Sequence, residues 1–179
     1  MQQTSLSKQI SRLTNKKTLT ITTLLFTATI IALPTIQNTM TPETRTQSPD
    51  LSLTYTTTEL YTMAETYGPE GRANYIKTRL TFDLIFPLIY AAFLATTISR
   101  LTRQTPEPLR NLNQLPATAA LLDYLENTTT IIIMARYPAH TPIIDTAATL
   151  FTPTKWLTLT ASFTALIIIL LTLLYKRLK

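Results

Sequence analysis

The chain has 179 residues, of which 45% are hydrophobic and only 15% charged, with a net charge of +6. Soluble domains typically carry about 25% charged residues, so the composition points to a membrane protein. The absence of cysteine excludes disulfides, thiol redox chemistry and cysteine-held metals. The positive charge clusters at the ends of apolar stretches, which fits membrane orientation and argues against a nucleic-acid partner. Threonine occurs 38 times and valine not at all. Threonine is tolerated in membrane helices because its hydroxyl bonds a carbonyl one turn back.

In chain order, the first predicted transmembrane helix covers about 18–35, inside a stretch without charge between Lys17 and Glu43. The second covers about 79–99 and carries Pro87, which lacks the donor N–H and predicts a kink. The third covers about 114–135 and the fourth about 155–175. Each is long enough to cross a hydrocarbon core of about 30 Å. These spans predict an all-α fold, an integral membrane four-helix bundle formed as a single domain over 1–179.

Residues 36–78 form the predicted first outer loop. Residues Asp50 to Tyr55 alternate apolar and polar, as a short strand or an extended segment. Thr56 and Glu59 then have the spacing of a capping box. Leu60, Met63, Ala64 and Tyr67 follow at helical spacing, giving an extracytoplasmic amphipathic helix. Gly68-Pro69 ends it, since glycine accepts a left-handed conformation and proline opens the next helix.

Orientation follows lysine and arginine. With four crossings, ten of these residues fall on the side of the N-terminal arm, the 100–114 loop and the C-terminus, against six on the other. Both termini are therefore expected on the cytoplasmic face of a plasma (inner) membrane, or on the matrix face of an organellar one. The basic arm from Ser7 to Lys17 can also touch anionic headgroups. Lys155, Trp156 and Tyr137 stand where interfacial anchors belong.

Within the third span, Asp123, Glu126 and Asn127 share one helix face, at i, i+3 and i+4. A carboxylate near mid-bilayer costs roughly 2.5–3.5 kcal/mol on insertion scales, so this pair demands a cation, a proton or a polar cavity. Asp83 lies at similar depth in the second span, one turn from Arg79. The expected site is a buried polar cluster of Asp83, Asp123, Glu126 and Asn127, with Arg79 and either Arg72 or Arg136 as cations. It locks helix register, or it binds a ligand, or it conducts a proton or ion. His140 is the single histidine. On its proline-rich loop it reads as solvated, and it cannot alone support bis-histidine haem or a zinc site. No cofactor motif and no metal site are predicted.

Several segments together resemble an uncharacterised group of small four-helix bacterial integral membrane proteins. They are Glu70-Gly71-Arg72 with Tyr75, then Asp83, Phe86, Pro87 and Tyr90, then Asp123, Tyr124, Glu126 and Asn127, then Lys155-Trp156. The resemblance covers about 50–175 and implies the same topology and an outer polar cluster, but no activity. The expected function is therefore a small membrane scaffold or accessory subunit, with lipids and a larger membrane complex as partners. The alternative is a membrane-embedded enzyme or transporter whose acids and arginines bind a headgroup, a small ligand or an ion.

Overall fold

The computed structural model describes residues 2–105 and 107–178. Lys179, counted among the inner-side cations, lies outside the described residues. The α-helices are α1 (Ser5–Leu13), α2 (Lys16–Gln37), α3 (Pro42–Thr46), α4 (Thr57–Leu101), α5 (Glu107–Arg110), α6 (Leu115–Arg136) and α7 (Pro142–Leu178). There is no strand among the described residues. The alternating segment after Ser48 instead makes a short 3-10 turn, Pro49–Leu51, and then runs without regular structure to Thr56.

Three helices are long and apolar enough to cross a membrane: Lys16–Gln37, Thr57–Leu101 and Pro142–Lys176. The sequence predicts four. The remaining helix, α6, forms where expected and has 22 residues. It falls short in apolarity because Asp123, Glu126, Asn127 and three successive threonines interrupt it.

The chain divides into two compact units. The first comprises Met1–Ala28, Leu88–Ala120 and Leu157–Lys179. In it α1 is pinned by polar contacts rather than by apolar burial. Asn113 is fully buried, and its amide nitrogen reaches the Ser7 carbonyl at 3.1 Å, Ser11 Oγ at 3.2 Å and Ser99 Oγ at 2.8 Å. Ser7 Oγ donates to the Arg110 carbonyl at 3.0 Å, and Arg103 bonds the Thr14 carbonyl. The basic arm is thus a helix held to the 100–114 connection. Farther along α2, Thr22 and Thr96 share a hydrogen bond of 3.0 Å, and the Phe26 and Phe93 rings stack 4.5 Å apart. Close approach through threonine is the small-residue packing expected between helices in lipid.

The second unit comprises Thr29–Pro87 and Leu121–Trp156. The predicted capping box is present: Thr56 N donates to Glu59 Oε2 at 2.7 Å, and Glu59 N donates to Thr56 Oγ1 at 3.2 Å. The helix it opens buries Leu60, Tyr61, Ala64 and Tyr67 against Tyr55, Tyr75, Ile133, Met134 and Ala148. Gly68, at φ 61 and ψ −179, breaks the helical backbone inside α4. Only glycine occupies that region without strain, and the following Pro69 disfavours a helical conformation at the preceding residue. Pro87, expected to kink the second span, keeps helical backbone angles. Tyr67 donates to the Gln47 carbonyl and Asn74 Nδ2 to the Thr39 carbonyl at 3.2 Å, so α4 fixes the segment that carries Asp50.

Candidate functional site

The second unit gathers its charge on two cations. Arg79, one turn before Asp83 on α4, is 3% exposed. Its Nη1 lies 2.6 Å from Asp83 Oδ2 and its Nη2 lies 2.6 Å from Asp50 Oδ2. Nη2 also donates to Ser48 Oγ at 3.2 Å, and the guanidinium sits 4.5 Å from the Tyr75 ring centroid. The planar fork of arginine suits two carboxylates and an aromatic face at once.

Lys155, on α7, is 4% exposed. Its ammonium pairs with Glu126 Oε2, and lies 3.8 Å from Asp123 Oδ1 and 3.9 Å from Asp50 Oδ1. Asp50 therefore joins the two cations, one carboxylate oxygen to each. Burial alone would push its carboxyl up, but Arg79 and Lys155 outweigh burial and hold it below the ordinary value.

Glu126, 1% exposed, is fixed from its other side by Thr152. Thr152 Oγ1 lies 2.5 Å from Glu126 Oε1 and 2.8 Å from Tyr55 Oη. An ionised carboxylate only accepts. Thr152 Oγ1 is the donor toward both oxygens, and the Tyr55 phenol donates its own hydrogen to the Ala148 carbonyl at 3.3 Å. Burial raises the Tyr55 phenol well above its ordinary value, so it stays protonated for that role. On α6, Asn127 Nδ2 donates to Asp123 Oδ1 at 3.4 Å. The Asn127 Oδ1 and Arg79 Nε atoms are buried without a hydrogen-bond partner among the described residues.

The structure brings together Asp83, Asp123, Glu126, Asn127 and Arg79 of the predicted site. It does not bring in Arg72 or Arg136. Arg72 donates to the Ala64 carbonyl at 2.8 Å and covers the Tyr137 ring at 4.7 Å. Arg136 is exposed in the last turn of α6. Among the predicted anchors, Tyr137 packs half-buried against the tyrosine-rich core, and Trp156 is half-buried with the Lys155 ammonium 5.3 Å from its ring. Lys155 is the second cation of the cluster and not a surface anchor. Its reach follows from α7 starting at Pro142, so that Thr152 and Lys155, three residues apart, share a helix face toward Glu126.

Two members escape a reading of the sequence. Asp50 sits in a 3-10 turn with no periodicity to mark it, and Thr152 is one threonine among many. The available signal was a deficit, since two acids on α6 needed a cation at the same depth.

Chemically, the cluster holds four carboxylates against two cations across α4, α6, α7 and the Asp50 turn. Among the described residues, no three histidine, aspartate or glutamate side chains are grouped to hold a metal ion. No protein-family model matches the chain, and no curated protein and no solved structure matches it.

Proposed function

We propose that the chain is a small integral membrane scaffold, or an accessory subunit, that sits in lipid and docks on a larger membrane complex. In this reading α2, the part of α4 after Gly68, α6 and α7 are four crossings of a helix bundle. Both termini lie on the cytoplasmic face, or on the matrix face of an organelle. The helix before Gly68 lies on the outer surface. The likeness to small four-helix bacterial membrane proteins leads to the same topology.

The observation that supports this reading best is the closure of the charged cluster. Each acid has a cation within 4 Å, and both cations are almost completely buried. Buried ion pairs fix register more than they stabilise, which is the role of a scaffold. The apolar surface points the same way. Thr22 is the buried residue of α2, while Ile21, Leu24, Leu25, Ile30 and Ile31 are exposed. On α7, Leu157, Ile167, Ile168, Leu171 and Leu174 are exposed as well. Apolar faces of this extent are built for lipid or for a partner helix.

A second reading, a membrane-embedded enzyme or transporter, draws on one observation. Four carboxylates share two cations, so the cluster favours an added positive charge. Purification in mild detergent, with mass spectrometry of everything retained, separates the two. The scaffold reading expects recovery with larger subunits at fixed stoichiometry, for the wild type and for Asp123→Asn alike. Recovery of the chain alone, with one small molecule or ion that Glu126→Gln loses, would replace it by the second reading.

A further inference from the structure

Away from the charged cluster, the second unit carries a cleft of about 330 Å³, within the size range of small-ligand sites. Its walls include Tyr61, Tyr137 and His140, the hydroxyls of Thr58 and Thr62, and the carboxylates of Glu65 and Asp145. No lysine or arginine lines it.

Asp145 is the unusual member. It is 5% exposed, yet its carboxylate has no hydrogen-bond or ion-pair partner among the described residues. Its place in the first turn of α7 gives it the favourable end of the helix dipole. Its oxygens are not sealed from solvent, because Asp145 lines the cleft. A cationic group entering the cleft can therefore pair with the carboxylate.

The remaining walls define that group. The Tyr61 and Tyr137 rings lie 6.5 Å apart, tilted by 35°, and His140 stacks 4.1 Å from Tyr61. Arg72 covers one face of Tyr137, so cations are already held by this aromatic set. Tyr61 is fixed because its oxygen accepts from the Thr141 backbone N–H at 2.9 Å. Two carboxylates and two threonine hydroxyls are acceptors in search of N–H donors. Metal ions fit poorly, since the described residues provide no three-ligand group.

We propose that this cleft binds an organic ammonium group with N–H donors, taken either from a free alkylamine or from an ethanolamine-type lipid headgroup. Asp145 pairs with the ammonium, Glu65 adds charge at the rim, and Tyr61 forms an apolar wall beside the alkyl carbon. The site is independent of the scaffold reading, since none of its walls belongs to the charged cluster.

The test is calorimetric titration of butylammonium into the full chain in detergent, with butanol as the neutral control. Saturable binding of butylammonium and none of butanol is expected. Asp145→Asn is expected to weaken it about tenfold or more, as for loss of a charged hydrogen-bond acceptor. Glu65→Gln, at an exposed position that leaves folding intact, should weaken it less, and Glu70→Gln not at all. Native mass spectra in mixed-lipid nanodiscs identify the source. Retention of phosphatidylethanolamine over phosphatidylglycerol assigns the lipid headgroup, and binding of the free amine without that preference assigns a soluble amine. Absence of both, or binding unchanged by Asp145→Asn and by Glu65→Gln, would overturn the site.

Discussion

Lys155 on α7 closes on Glu126 on α6, and both side chains are all but completely buried. The pair makes each residue conditional on the other. A lone ammonium or carboxylate at that depth would carry its full desolvation cost, whereas the paired groups share three further contacts to Asp50, Asp123 and Thr152.

Lys155→Met removes the cation and strands Glu126 beside Asp50 and Asp123. Breaking a buried pair from one side typically costs about 3–5 kcal/mol. The expected result is a large drop in melting temperature in detergent, recovered in part by the double variant Lys155→Met with Glu126→Gln. Equal melting of wild type and Lys155→Met would remove the pair from any structural role.

Asp50 gives the cluster a pH dependence with a defined sign. Burial alone would raise its carboxyl, but Arg79 and Lys155 hold it below the ordinary value of 3.8. A group with a lowered value in the folded state stabilises fully above its unfolded value and loses that contribution as pH falls through the folded one. The stability gap between wild type and Asp50→Asn should therefore be constant above about pH 5 and shrink as pH falls below 3.8. Thermal melts of both proteins across that range provide the check, and a gap that widens on acidification would reverse the assignment.

The sequence announced the parts of this architecture that depend on periodicity and local chemistry. Uncharged runs marked α2 and the apolar parts of α4 and α7, the Thr56–Glu59 spacing marked a helix start, and Gly68-Pro69 marked the break in α4. The carboxylates of α6 revealed themselves by their cost in an apolar span, and Arg79 by its i, i+4 spacing to Asp83. What stayed hidden was the pairing between elements distant in the chain. Arg72 and Arg136 matched Lys155 in charge and approximate depth, and only the course of α7 from Pro142 decides that Lys155 faces Glu126. Asp50 was illegible for the same reason. Its role is set by Tyr67 and Asn74 holding the preceding loop to α4, and a two-residue alternation does not encode that.

Gly68 joins the outer helix to the long apolar one at φ 61. A side chain there would meet no neighbouring atom within 4 Å, so the penalty of Gly68→Ala is conformational and not steric. A strained backbone of this kind costs about 1–3 kcal/mol. The variant should melt earlier by the corresponding amount or straighten the break. Tyr61 and Tyr67, which the first helix buries, then become more exposed to quencher. Unchanged stability and tyrosine exposure would show that the break does not position that helix.

The central claim is that the acidic helix α6 crosses the membrane with the three more apolar helices, its two carboxylates paired with Lys155. Because the chain has no cysteine, single cysteines report topology without background. Cysteines replacing Ser11 and Leu109 should react with an impermeant maleimide only from the cytoplasmic face of sealed vesicles. Those replacing Ser52 and Ala139 should react only from the opposite face. Labelling of the Leu109 and Ala139 positions from the same face would show that α6 does not cross, and would contradict the account.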